Sequence, residues 1–336
     1  MAVTAKELAK QLGLSESAVS LALNQKPGVS TATRNRVLET ARELGYDFSR
    51  IRAAALPQRS GSIYFIIYKK HGAVVTETPF FSELSEGIDL ACKQLRYYCN
   101  IQYLHEEDDA APLLSEWARG GCRGIILLGT EMQSHDLTPF LQSHLPLVLL
   151  DNYFEEVDVD SVLINNMQGA YTATSYLIHK RKEQPGYLHS AYSINNFEER
   201  ADGFYKVIRK NGMSASRSIV HRLTPSVEGA YADMKDLLAH HEPLANCYFA
   251  DNDLIAVGAV RAFLEAGYRI PQDIAVVGFD NMPICTYTTP PLTTVHVPKQ
   301  YMGQTAVRRL YEIIDASGSY PVKIEISTSL KKRKSC

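Results

Sequence analysis

Apolar positions along this chain recur with two different periods, and the change falls near residue 60. In the first 46 residues they recur every three to four places in three short runs, the spacing of amphipathic helices. Thr4-x-x-Glu7 is a capping-box pattern that opens a helix with Leu8 and Leu12 on one face and Ala5 and Ala9 beside it. Gly13 stands where a glycine ends a helix. Ser15 caps a second helix, in which Ala18, Val19 and Ala22 face inward. Pro27-Gly28 breaks the chain, and Ser30 caps a third helix with an apolar stripe of Val37, Leu38, Ala41 and Leu44, stopped by Gly45. Only residues 13–15 separate the first two helices, so they cross sharply, as in a helix-turn-helix.

From Ser62 the pattern becomes strand, helix, strand, helix. Strands are expected over 63–68, 100–104, 124–128 and 147–150, with helices such as 83–96 and 112–119 between them. The alternation restarts at 162–164 and continues through 186–189, 218–221, 247–249 and 274–277. Such alternation predicts parallel sheets flanked by helices, and two rounds of it predict two α/β lobes. A strand over 293–297, a helix over 301–314 and a strand over 322–327 suggest a return to the first lobe. The expected organisation is an all-α helix-turn-helix headpiece (1–46), a hinge (47–61) and a two-lobe α/β core. The first lobe takes 62–161 and 297–323, the second 162–296 and 324–336.

Charge sharpens this division. Residues 1–60 carry nine Lys and Arg against five Asp and Glu, whereas the whole chain has a net charge of −2. A basic head on an acidic body points to nucleic acid as the partner of the head. No run of 18 apolar residues suggests a membrane span, and no apolar leader opens the chain, so a cytoplasmic protein is expected. The six cysteines are scattered and lack metal-ligand spacing, which fits a reducing compartment. No nucleophile elbow, Walker loop, paired catalytic carboxylates or metal motif occurs, so neither an enzyme nor a cofactor is expected. His105-Glu106-Glu107-Asp108-Asp109 reads as a solvated loop, His240-His241 lacks a further ligand, and the glycine spacing of Gly120-Gly121-Cys122-Arg123-Gly124 is wrong for a dinucleotide loop. Trp117, the only tryptophan, is expected to pack within the first lobe.

Leu14-Ser15-x-x-Ala18-Val19-Ser20-x-x-Leu23-Asn24, followed by Gly28-Val29-Ser30-x-x-Thr33-Arg34, resembles the headpiece of the lactose/galactose-repressor (LacI–GalR) family. The resemblance implies that the second helix enters the major groove. It places base reading on Glu16, Ser17 and Leu21, and further DNA contacts on Thr4, Ser15, Ser20, Asn24, Ser30 and Thr33. Leu21 stands where relatives often carry arginine. A leucine offers apolar contact, for example to a thymine methyl, and not a bidentate bond to guanine, so a different operator is expected. The family's hinge forms a short helix on DNA and wedges a leucine into the minor groove. Without gaps the wedge position falls on Ala55, with Leu56 one residue later and Arg50 near phosphate; Leu56 is expected to insert from the end of the helix.

The body resembles the same family's periplasmic-binding-protein-like core through Thr78-Pro79-Phe80-Phe81, Val148-Leu149-Leu150-Asp151, Glu199-Arg200-Ala201-Asp202-Gly203-Phe204, Asn252-Asp253-Leu254-Ile255-Ala256 and Val276-Val277-Gly278-Phe279-Asp280-Asn281. It implies an effector cleft lined by Phe80, Phe81, Asp151, Arg200, Asn252 and Asp280. Carboxylates and a guanidinium suit vicinal hydroxyls, and an aromatic ring suits an apolar sugar face. Lys331-Lys332-Arg333-Lys334 resembles the family's closing segment. No leucine heptad follows it, so nothing suggests an added coiled coil.

The expectation is a ligand-responsive repressor of sugar-utilisation genes: a homodimer on a pseudo-palindromic double-stranded operator, with a small carbohydrate effector between the lobes. A purine or nucleoside effector is the rival ligand, since Phe80, Phe81 and Asn252 also suit a nucleobase. A sugar-binding transport protein is the rival class.

Overall fold

The computed structural model describes residues 3–24, 28–46, 61–70, 72, 74–75, 79–314, 316 and 320–336. The chain divides into two units, Met1–Ser60 and Gly61–Cys336. The hinge, with Arg50, Ala55 and Leu56, lies outside the described residues.

In the first unit, α1 (Ala5–Leu12), α2 (Glu16–Leu23) and α3 (Thr31–Glu43) form where the caps place them. Thr4 and Glu7 complete a reciprocal box: the Glu7 N–H donates to Thr4 Oγ1 at 3.3 Å and the Thr4 N–H to Glu7 Oε2 at 2.7 Å. Gly13, at φ 66°, takes the left-handed turn that ends α1. Ser15 Oγ accepts from the Ala18 N–H, and Ser30 Oγ from the Thr33 N–H. Leu8, Ala9, Val19, Ala22, Leu23, Val37 and Ala41 make the core. Ala18, expected inward, is only half-buried, whereas Leu23 at the end of α2 is buried in the core.

The second unit holds two six-stranded sheets. Its strands are β1 (Ser62–Lys69), β2 (Tyr98–His105), β3 (Cys122–Leu128), β4 (Leu147–Leu150), β5 (Asp160–Ile164), β6 (Gly186–Ser190), β7 (Val220–Leu223), β8 (Cys247–Ala250), β9 (Ala275–Asp280), β10 (Thr293–His296), β11 (Lys323–Ile326) and β12 (Ser329–Lys331). The first sheet has the order β11-β5-β4-β3-β1-β2 and the second β12-β10-β9-β8-β6-β7. All pairs are parallel except β10 with β12.

The helices between the strands are α4 (Pro79–Gln94), α5 (Ala110–Arg119), α6 (Thr138–Gln142), α7 (Asn166–Arg181), α8 (Asn195–Lys210), α9 (Val227–Ala239), α10 (Asp253–Glu265), α11 (Ile284–Tyr287) and α12 (Lys299–Ile314). In the first lobe α4 crosses α12 at close range. A Cβ on Gly87 would lie 2.2 Å from the Gln300 carbonyl oxygen, and one on Gly303 2.4 Å from that of Leu84, so only glycine fits at either place. Among the described residues no helix is long and apolar enough to cross a membrane.

The topology corrects the expected lobe boundaries. β5 and β11 pair with each other in the first sheet, so residues 162–164 and 324–326 belong to the first lobe. The chain crosses between lobes after Ile164, His296 and Ile326. The strand expected over 322–327 is β11, and a further short strand, β12, follows it in the other sheet. The helix expected over 83–96 starts earlier, at Pro79, a residue suited to a first helical turn.

Candidate functional site

Two surfaces carry chemistry, one in each unit. On the headpiece, α2 presents Glu16, Ser17 and Ser20 to solvent, while Leu21 is half-buried. Part of Leu21 faces the turn after α2, where a Cβ on Gly28 would lie 3.1 Å from its Cδ1. Ser15 and Ser30 have their hydroxyls engaged as caps, and Thr33 Oγ1 lies 2.8 Å from Ser30 Oγ. Asn24 ends α2 and donates to the Ser20 carbonyl at 2.8 Å. Thr4, Ser15 and Ser30 therefore stand at three helix starts, where backbone N–H groups favour anions.

The second surface is a cleft in the body, at the carboxyl ends of strands from both sheets, where open α/β sheets bind ligands. It encloses about 440 Å³ of space, counting its open mouth. The first lobe supplies Phe80 and Phe81 from the start of α4, Thr130 past β3 and Asp151 past β4. The second lobe supplies Asn196, Phe197 and Arg200 from one face of α8, Asn252 before α10 and Asp280 at the end of β9. The structure thus brings all six residues expected at an effector cleft onto one lining.

Arg200 is the best-anchored of them. It is 3% exposed; its Nε donates to Asn166 Oδ1 at 2.9 Å, its Nη1 to the Asp251 carbonyl, and its Nη2 to Asp280 Oδ1 at 3.4 Å. Its guanidinium lies over the Phe279 ring at 3.8 Å and the Phe197 ring at 5.5 Å. Behind it the Asp251 carboxylate accepts from the Tyr187 hydroxyl, from the Ser190 N–H at 2.6 Å and meets His189 Nδ1 at 2.7 Å.

Asp151 faces Arg200 from the other lobe. Its Oδ2 accepts from Thr130 Oγ1 at 2.7 Å, while its Oδ1 is buried without a hydrogen-bond partner. Burial pushes its pKa up to about 6, opposed by the Thr130 hydrogen bond, Arg200 and Asn196 and reinforced by the Asp280 charge. Burial also raises Asp280, against the pull of Arg200 and Lys299. Asp253, below the cleft floor, is pushed up to about 7 by burial and by Asp280. Asp151 at φ 64° and Asp280 at φ 104° both adopt left-handed backbone that non-glycine residues avoid. Asn252 spends its side-chain oxygen on the Ile255 N–H, so its amide N–H groups are what it can offer a ligand.

The loop after β1 is held from below. Glu131 is 5% exposed, and its two oxygens accept from the N–H groups of Lys70, Gly72, Val74 and Val75 at 2.8–3.1 Å. Val74 thereby reaches the cleft lining.

Several lining residues were not foreseen. Thr130 and Asn196 have the ordinary look of turn and helix polar residues, and Phe197 that of a core aromatic. The signal for Asn196 and Phe197 was their i, i+4 and i, i+3 spacing to Arg200. The remaining candidates settle elsewhere. Asp108 accepts from the His105 N–H, Asp109 caps α5, and among the described residues no cluster of three metal-ligating side chains occurs. Trp117 stacks on Tyr64 at 4.6 Å. In the closing basic segment, Arg333 donates to Asn281 Oδ1 at 2.6 Å and to the Leu292 carbonyl at 2.8 Å, bracing the turn beside Asp280.

Comparison with known proteins follows the same division. Residues 4–48 match the model of bacterial regulatory proteins, lacI family, and residues 174–336 that of a periplasmic binding protein-like domain. An HTH-type transcriptional repressor PurR of Mannheimia succiniciproducens is 30% identical over 99% of this chain and 98% of its own length. An HTH-type transcriptional regulator GalS of Salmonella typhimurium is 30% identical over 90% of this chain and 88% of its own. A LacI family transcriptional regulator from Enterococcus faecium, solved with bound ribose, superposes with a TM-score of 0.70 and is 25% identical, covering 81% of this chain and 98% of its own.

Proposed function

From the premise that this chain belongs to the lacI family of bacterial regulatory proteins and is a DNA-binding transcriptional repressor, we propose that its cleft takes a small neutral carbohydrate and that it governs sugar-utilisation genes. The observation that carries this reading is the pairing of Asp151 and Asp280 from opposite lobes around a single guanidinium. Asp151 Oδ1 has no protein hydrogen-bond donor among the described residues, and a sugar hydroxyl is a donor of the right size and charge. Arg200 and the Asn252 amide accept the complementary role toward hydroxyl lone pairs, and Phe80 and Phe81 cover the apolar face. An anionic ligand would meet two carboxylates. The ribose in the Enterococcus faecium relative supports a ligand of this class.

The same relatedness reaches a PurR repressor and a GalS regulator at equal identity, so the ligand class rests on the cleft chemistry. On the headpiece we assign base reading to Glu16, Ser17 and Leu21, phosphate contacts to Ser15, Asn24, Ser30 and Thr33, and further DNA contacts to Thr4 and Ser20. Two chains place two headpieces on a pseudo-palindromic operator in the cytoplasm. The effector acts by binding the open and closed bodies unequally, and the cleft binds without catalysing.

A thermal-shift panel of mono- and disaccharides, sugar phosphates and purines tests the ligand class. A ligand at 100 times its dissociation constant stabilises the native state by ~2.7 kcal/mol. A neutral sugar is expected to respond; a response confined to purines or to sugar phosphates would overturn the reading.

A further inference from the structure

The lobes are joined at the cleft by contacts outside the ligand lining. Asn195, the first residue of α8, belongs to the second lobe and its side chain is exposed. Its Nδ2 reaches the first lobe, donating to Asn152 Oδ1 at 2.8 Å and to the Tyr153 carbonyl at 2.9 Å. The acceptor is immobile. Asn152 is 2% exposed, and its own Nδ2 donates to the Gly129 and Met132 carbonyls at 2.7 and 3.1 Å. Turning that amide over would set its NH2 against the Tyr153 N–H that its Oδ1 now accepts, so Oδ1 must face Asn195. The next residue, Asn196, donates to the Asp151 carbonyl at 3.3 Å. Two consecutive asparagines of one lobe therefore grip residues 151, 152 and 153 of the other.

Asn195 does not line the ligand cavity. We propose that it is a latch: a positioning residue that holds the lobes together at the mouth and sets how much empty protein is closed. Apparent affinity for a ligand of the closed state scales with the closed fraction, so the latch tunes effector affinity from outside the site. That second step rests on the carbohydrate reading above; the first does not.

Asn195→Asp isolates the latch. It keeps the shape but replaces a donor with an acceptor facing two acceptors. At the first position of a helix an aspartate is favourable, so folding of α8 is not at risk. Asn195→Ala removes the donor without adding repulsion and serves as the milder variant.

Hydrogen exchange on the full chain, without ligand, reads the first step. Asn195→Asp should raise exchange about tenfold in cleft segments remote from the substitution, around Thr130, Asn252 and Asp280, with Asn195→Ala between it and the parent. Change confined to residues 152–153 and 195–196 would reduce Asn195 to a local contact and overturn the latch. Titration with D-ribose and D-galactose reads the second step, with about tenfold weaker binding expected in Asn195→Asp. Raised exchange in the variant, with a parent that binds neither sugar but binds a purine, would leave the latch standing and overturn the carbohydrate reading.

Discussion

Replacing Asp151 by asparagine should make the empty protein more stable and worse at binding its effector. The Asp151 carboxyl titrates at about 6 in the fold against 3.8 for an exposed aspartate. Holding it ionised when folded therefore costs ~3 kcal/mol, at ~1.4 kcal/mol for each tenfold change in proton affinity. The sign follows from the raised value. The folded state binds this proton more tightly than the unfolded state, so the favourable contribution is complete below pH 3.8 and is lost as pH rises through about 6.

Asparagine keeps the bond from Thr130 Oγ1 at its oxygen and carries no charge to desolvate. Its NH2 replaces the unpartnered Oδ1, and leaving that donor unpaired returns ~1 kcal/mol of the gain. The net gain at pH 8 is ~2 kcal/mol, a rise of roughly 5 °C in the melting temperature of a body this size. Urea denaturation of parent and Asp151→Asn from pH 4.5 to 8.5 checks it. The two curves should converge near pH 4.5, separate as pH rises toward about 6 and run parallel above it. Sugar affinity should fall ~10-fold or more with the loss of a charged acceptor. A variant less stable at every pH, or a difference that does not change with pH, would refute the claim that burial strains this carboxylate.

Two further outcomes follow from single side chains. Glu131→Gln leaves one acceptor oxygen for four backbone N–H groups and turns an NH2 toward two of them; a loss of ~2–3 kcal/mol in chemical denaturation is expected, with weaker sugar binding as Val74 loosens. Leu21→Arg should move the preferred operator toward guanine at one step of each half-site, worth ~1–3 kcal/mol of discrimination, as read by selection from a randomised library; an unchanged consensus would take Leu21 off the base edges.

What was legible in the chain was local. The three headpiece caps and the Gly13 stop are set by residues within four places of one another, and they form as expected. The lobe boundaries were not legible because an apolar run such as Val162–Ile164 suits a buried parallel strand in either sheet; pairing with β4 and β11 decides which. The supports of Arg200 were hidden for the same reason. Asn166, Asp251 and Phe279 are 34, 51 and 79 residues from it in sequence, and each looks like an ordinary cap, turn or core residue until the sheet assembles. Arg333 read as part of a basic tail, and only its bond to Asn281, 52 residues earlier, shows it bracing the cleft floor.

On the carbohydrate reading proposed above, the same geometry gives the ligand a part in closing the cleft. Asp151 approaches from one lobe and Asp280 from the other, with the Arg200 guanidinium bonded to Asp280. Burial at the cleft raises the pKa of both carboxylates, against the pull of Arg200 on each and of Lys299 on Asp280. The asparagine contacts at residues 195 and 196 offset part of that cost, since each exchanges one bond to water for one across the lobes. On the carbohydrate reading, a neutral polyol offsets the rest, because its hydroxyls donate to the carboxylates where the lobes meet. An anion would add a third negative charge to the same space. On that reading, selectivity for neutral ligands and closure of the lobes have one origin, the two carboxylates that the lobes bring together beside Arg200.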